Sequence, residues 1–308
     1  MHAVINGLAV IWLVIGIGYG AGKMSILTPA AQAPLNRLVY HFALPAYVFL
    51  ALAEANLPAV LGAPLVTAAL SATLASLTFI ILARWCWRAT AADLVIGGMS
   101  SGLANIGYLG IPLAHYLLGS TLAAIPVLLF QLAFFSPLWF TLADIVSPHH
   151  HPSLANIARA ICFNPLLWAA VMGMGVSLVD WTLPWVAREV LSIVAGAAVP
   201  CILIAFGLSF IGTSPRAFSA TAAMVVSATV TKIIWQPLLA FAIAHWGFAM
   251  TGADLYATVA MAGLPTAQNA YVAAYRAGAS EQLATGTVMA TTIFVTPTLA
   301  VIAALLAP

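Results

Sequence analysis

Polar positions are sparse along this chain and gather at the ends of long apolar stretches. Apolar runs bounded by Pro, Gly or charge occupy residues 4–22, 36–54, 62–83, 93–118, 121–146, 161–179, 186–211, 218–246, 254–276 and 282–306. A helix needs roughly 20 such residues to cross a bilayer, so the pattern predicts ten membrane-spanning helices. Almost nothing is left over for a soluble catalytic domain. The first run reads as a retained span and not a cleavable leader, because no basic residue precedes it and Lys23 follows it.

Composition sharpens this into an integral membrane protein. Hydrophobic residues make up 64% of the 308 and charged residues 5%, against about 45–50% and 25% in soluble domains. The surplus apolar surface needs lipid as its partner. A net charge of +2 without a basic cluster excludes a nucleic-acid footprint. Cys86, Cys162 and Cys201 are far apart and form no metal-binding spacing, so neither a metal nor another cofactor is expected. Basic residues set the orientation. Lys23 and Arg37, Arg84 and Arg88, Arg159, Arg216 and Arg276 flank the odd-numbered connections, whereas the even ones hold only Arg188, beside Glu189. Both termini are therefore expected outside the cytoplasm of a cell whose plasma membrane holds the protein.

The two halves resemble each other. Gly16 and Gly18 recur as Gly173 and Gly175 at an offset of 157, Pro45 as Pro200 at 155, and Ser136-Pro137 as Thr296-Pro297 at 160. Five spans per half is an odd number, so the second half enters the membrane inverted, the plan of many secondary transporters. The expected division is residues 1–147 for the first repeat, 148–160 for a short cytoplasmic linker and 161–308 for the second.

Two spans in matching positions are interrupted. The fourth carries Asn105, Gly107, Tyr108, Gly110 and Pro112; the ninth carries Gly263, Pro265, Thr266, Gln268 and Asn269. Pro112 offers no N–H to the Tyr108 carbonyl, nor Pro265 to that of Met261, and the glycines ease departure from helical angles. Each helix is expected to break there, with second halves starting near Ile111 and Thr266. Broken backbone at membrane depth must face protein or a water-filled cavity. The N-terminal ends of the second halves, with the amides of Asn105, Gln268 and Asn269, make a site suited to a carboxylate. The C-terminal ends of the first halves could instead hold a coupling cation, H+ or Na+. The plainer alternative is that these residues only kink packed helices.

At these residues the chain resembles the auxin efflux carrier family, within the superfamily of bile acid, arsenite and riboflavin transporters. The likeness rests on Asn-x-Gly-x-x-Gly-x-Pro at Asn105–Pro112, Ala-Leu-Pro ending at Pro45, Asn164-Pro165, and a Pro followed by Asn in the ninth span. It implies two inverted five-helix repeats, crossing helices four and nine, and movement of a small organic anion. Plant members carry a long central loop, while residues 147–160 here are short, so the chain looks like the bacterial branch. A homodimer is a candidate assembly, and a sodium- or proton-coupled symporter of the same fold is the alternative function.

Lys232 lies mid-span, where a charge costs about 2.5–3.5 kcal/mol on insertion scales. It could attract the anion, act as a coupling charge or bond to carbonyls near Pro237. His149, His150 and His151 read as loop residues; His41, His115 and His245 read as hydrogen-bonded packing, although imidazole could relay protons. Trp85, Trp87, Trp181, Trp185 and Trp246 read as an interfacial belt. Gly98-Met-Ser100-Ser101-Gly102 matches a serine-nucleophile pattern but lacks the strand that pattern needs, so an enzyme is not expected. Gly16–Lys23 fails the phosphate-loop spacing.

The topology is testable. In a cysteine-free background, a cysteine replacing His150 should react in intact cells only with membrane-permeant reagents; ready labelling by an impermeant reagent would invert the orientation.

Overall fold

In the computed structural model, described for residues 2–147, 158–159, 162–211 and 221–307, every extended element is helical. His149, His150, His151, Arg216 and all of the 148–160 linker but Ala158 and Arg159 lie outside the described residues. The main helices are α1 His2–Lys23, α2 Gln32–Ala53, α3 Ala63–Cys86, α4 Ala91–Gly102, α5 Ile106–Leu118 and α6 Leu122–Val146. They continue as α7 Pro165–Leu178, α8 Trp185–Ser209, α9 Ala222–Gly247, α10 Gly252–Ala262, α11 Asn269–Ala277 and α12 Glu281–Leu306. Six of them, α2, α3, α6, α8, α9 and α12, are each long and apolar enough to cross a membrane. The fourth and ninth apolar runs are the interrupted ones, split into α4 and α5 and into α10 and α11.

Large apolar side chains cover the outside as well as the core. Leu13, Ile17, Phe134, Ile193 and Ile293 are all more than 60% exposed, an arrangement water would penalise and lipid does not. Trp85, Trp181, Trp185 and Trp246 are exposed near helix ends, where an aromatic belt would sit.

Prolines shape these helices in a repeated way. Wide, π-type turns at Val39–Ala43, Ile106–Gly110, Gln131–Phe135 and Thr231–Trp235 each end two residues before Pro45, Pro112, Pro137 or Pro237. In each, the residue before the proline donates its N–H to the carbonyl five residues back. Widening the turn moves the carbonyl that would clash with the proline ring and keeps the chain helical. Pro165 instead starts a helix, with Asn164 Oδ1 accepting from Leu166 N at 3.0 Å and Leu167 N at 3.4 Å, a cap followed by a residue with no N–H to satisfy.

Helices α1, α2, α7 and α8 form one group, α1 lying along α8 and α2 along α7. Both pairs use glycine to bring backbones together. A Cβ on Gly18 would strike the carbonyl of Ile204, and one on Gly173 would lie 2.6 Å from the carbonyl oxygen of Phe49. Gly173 follows Gly18, and Ile204 follows Phe49, by the same 155 residues. The packing thus matches Gly18 with Gly173 at the Pro45–Pro200 offset, two residues short of the 157 that the bare glycine pattern suggests. The remaining helices form the second group. Contacts between the groups include Trp12 Nε1 donating to Thr296 Oγ1 at 2.7 Å.

This contrast gives a prediction. Gly18→Ala should lower the thermal stability of the purified protein by about 1–3 kcal/mol through overpacking. Gly16→Ala, whose Cβ would meet nothing within 4 Å, should leave it unchanged or raise it.

Candidate functional site

Helix α4 begins with a capping box, Asp93 N–H donating to Thr90 Oγ1 at 3.2 Å and Thr90 N–H to Asp93 Oδ2 at 3.1 Å. It ends at Gly102, where Leu103 turns extended. Helix α10 ends at Ala262, and α11 starts only at Asn269. The two extended pieces meet antiparallel at Ala104 and Thr266. Asn105 N–H donates to the Pro265 carbonyl at 2.7 Å, and Ala267 N–H to the Leu103 carbonyl at 3.2 Å. These bonds are reciprocal: shifting Leu103 and Asn105 by 162 residues gives Pro265 and Ala267.

Buried side chains bond several of the other backbone groups freed at the break. Gln131, its amide oriented to serve both partners, accepts from Ala104 N–H at 2.7 Å and donates to the Ala104 carbonyl at 2.9 Å. Thr291 Oγ1 accepts from Thr266 N–H at 3.0 Å. At the end of α4, Thr266 Oγ1 donates to the Ser100 carbonyl at 2.7 Å. At the end of α10, Lys232 Nζ donates to the Ala262 carbonyl at 3.1 Å, and also to Gln236 Oε1 at 2.6 Å.

Asn105 is different. Its Oδ1 accepts from Tyr108 N–H at 3.2 Å, capping α5, while its Nδ2 is buried and without a partner. The residue is only 1% exposed. Such an orphaned buried donor is uncommon and calls for an explanation. Gly107 beside it has nothing within 4 Å of where a Cβ would stand.

The remaining expected site residues separate into those at the break and those away from it. Tyr108 and Gly107 lie in the first turn of α5, Tyr108 with its ring centroid 5.6 Å from that of Phe206 on α8. Pro265 and Thr266 lie in the extended piece, and Gln268 Nε2 reaches Ser209 Oγ on α8 at 3.1 Å. Asn269 is exposed at the start of α11. Gly110 packs on Ile106 and Leu264, and Pro112 is buried farther along α5. The second halves therefore begin at Ile106 and Asn269, not near Ile111 and Thr266. Pro112 does not make the break, because the wide turn at Ile106–Gly110 absorbs it. The Thr266 N–H is taken by Thr291 and is not free for a ligand.

Gln131, Gln236, Thr291, Ser209 and Phe206 did not stand out in the sequence. A usable signal existed for the first two: each is a polar residue inside an apolar run and close before a proline, Pro137 or Pro237. A separate cavity of about 550 Å³ is lined by Val14, Tyr47, Glu54, His115, Arg188 and Leu203 among others. Leu203 precedes by one turn Phe206, the residue that touches Tyr108. Arg188 and Glu54 pair there at 2.8 Å with both side chains more than half exposed, a contribution of about 0–1 kcal/mol. Ser100 is fully buried, its hydroxyl donating to the Ile96 carbonyl at 2.7 Å within its own helix. Among the described residues no group of three or more His, Cys, Asp and Glu could hold a metal.

The sequence pattern of the membrane transport protein family, the auxin efflux carriers, matches residues 3–303. The chain belongs to that family. It is 26% identical over 285 residues to a Rhizobium meliloti (strain 1021) protein named "Putative malonate transporter", covering 90% of this chain and 88% of that one. It is 28% identical over 277 residues to an "Uncharacterized transporter" of Methanothermobacter thermautotrophicus (strain Delta H), covering 87% and 86%. The family is one of membrane transporters, and the apolar helices fit a multi-pass membrane protein.

The crossover makes a stability prediction. Gln131→Leu leaves the Ala104 N–H without its partner in the core, a cost of about 1–3 kcal/mol. Thermal unfolding of the purified variant should show it; an unchanged midpoint would mean that Gln131 does not hold the crossover.

Proposed function

We propose that the protein is a secondary carrier moving a small organic anion, a carboxylate, across a bacterial inner membrane by alternating access around the crossover. The observation that carries this reading is the buried, unpartnered Nδ2 of Asn105 at the start of α5. A carboxylate oxygen there would accept from that amide and face the positive end of α5, the arrangement by which half-helix N-termini hold anionic substrates. Asn105, Gly107 and Tyr108 form its first-repeat side; Gln268 and Asn269, with Pro265 and Thr266 shaping the turn, form its second. The relative's name makes malonate the first anion to try.

The reading includes ten spans in two inverted repeats, residues 1–147 and 161–308. The matched contacts of Gly18 and Gly173, and the reciprocal bonds of Asn105 and Ala267, support it. The group of α1, α2, α7 and α8 would stay fixed while the crossover group moves. Both termini would lie outside the cytoplasm, and two copies could pair without sharing a site. Coupling to sodium or protons is the second form of the proposal. A hydrolase draws no support from Ser100, whose hydroxyl is committed to Ile96.

Thermal unfolding of the purified protein against a panel of carboxylates, at two pH values and with or without sodium, should identify the anion, and uptake by proteoliposomes should follow it. Asn105→Ala should then weaken binding roughly ten- to hundredfold, the worth of a hydrogen bond to a charged group, about 1.5–3 kcal/mol. Pro112→Ala, away from the break, should bind like the wild type. Equal affinity in Asn105→Ala and the wild type would place the site elsewhere.

A further inference from the structure

The two C-terminal helix ends at the crossover are matched in geometry and unmatched in charge. Ser100 and Ala262 stand 162 residues apart, the same offset that relates the reciprocal backbone bonds. The Ser100 carbonyl takes a neutral hydroxyl, from Thr266. The Ala262 carbonyl takes an ammonium, from Lys232.

A helix C-terminus carries about half a negative charge. In carriers built on broken helices, such ends and the carbonyls around them are where coupling cations bind. Lys232 is 0% exposed, and neither ion pair of the described residues involves it. Its ammonium sits among oxygens: Ala262 O at 3.1 Å and Gln236 Oε1 at 2.6 Å. Gln236 and Ala262 also line a cavity of about 20 Å³ with Thr67, Ser71 and Gln131. That space holds about one water molecule, not a hydrated ion. The oxygens, the dipole end and the positive charge of a monovalent-cation site are all present, but the cation is attached to the chain.

We propose that Lys232 is a tethered substitute for a coupling cation, filling the cation position at the end of α10. This deepens the carrier reading and rests on it. The ammonium is then neither the substrate's direct partner nor packing alone: it caps the negative end of α10, a task that a sodium-coupled carrier would give to a free ion.

The test needs no known substrate, so it stays readable even if the carrier reading fails. Thermal unfolding of the purified wild type should be the same in sodium chloride and in choline chloride at equal ionic strength. Lys232→Ala should unfold earlier in choline chloride, and methylammonium or sodium should return at least half of that loss while leaving the wild type unmoved. Chemical rescue of this kind would not be seen if Lys232 served only as filler. Specific stabilisation of the wild type by sodium would overturn the proposal, as would a Lys232→Ala protein indifferent to every cation. If Lys232→Ala cannot be purified, the wild-type arm still decides, together with Lys232→Arg, which keeps the charge and should likewise show the same midpoint in sodium and choline. Sodium stabilisation of either protein would count against it.

Discussion

A backbone that leaves the helix inside a membrane must find partners for its N–H and C=O groups, because hydrocarbon offers none. The crossover is this protein's solution to that constraint, and the arrangement of α4, α5, α10 and α11 depends on it. Two extended pieces, each too short to form a sheet, bond to one another through Asn105 and Pro265 and through Ala267 and Leu103. Several of the groups they do not serve are taken by side chains from other helices: Gln131 from α6, Lys232 from α9 and Thr291 from α12. Helices that would otherwise need only apolar surface therefore carry buried polar residues, Gln131 on α6, Lys232 and Gln236 on α9 and Thr291 on α12. Losing any of these leaves a buried group unpaired, which is why they matter more to the fold than their number suggests.

The wide turns ahead of prolines belong to the same economy of hydrogen bonds. A proline removes one N–H and would press its ring on a carbonyl. A turn of π type relieves the clash without opening the helix to lipid. Gln131 and Lys232 both sit in such turns, at Gln131–Phe135 and Thr231–Trp235. The turn residues that bond the crossover are thus on segments already displaced from regular helix.

The six helices long enough to cross a membrane were legible from hydrophobic runs alone, because each such run is at least the length that a bilayer demands. That the fourth and ninth runs break was legible from Pro, Gly and Asn, but the points of breakage were not. Pro112 looked like a break and proved to be absorbed by a wide turn, whereas Leu103–Asn105, with no proline, is where the chain leaves the helix. The difference is tertiary: Leu103 gives up helical bonding because Ala267 supplies a replacement, and nothing local to Leu103 announces a partner so far along the chain. For the same reason Gln131 and Thr291 do not stand out in the sequence, since a lone Gln or Thr in an apolar run reads as tolerable until the group it satisfies is seen. Lys232 stands out by its cost, yet its partner is the backbone carbonyl of Ala262, which no polar side chain announces.

Under the carrier proposal, the charges of the crossover also limit what a binding side there would offer. With the Lys232 ammonium engaged by Ala262 and Gln236, and the Thr266 N–H engaged by Thr291, the polar groups proposed to face the anion are the Asn105 amide, the first turn of α5 and the side chains of Gln268 and Asn269. These are partial charges and donors, suited to one carboxylate group at a time. A second carboxylate on the same small anion would have no cation among these groups; the basic side chains His115 and Arg188 line a separate cavity along α5 and α8. Under the carrier proposal, recognition at the crossover would rest on hydrogen-bond geometry and helix dipoles, while Lys232, the one buried charged residue among the described residues, serves the protein's own backbone.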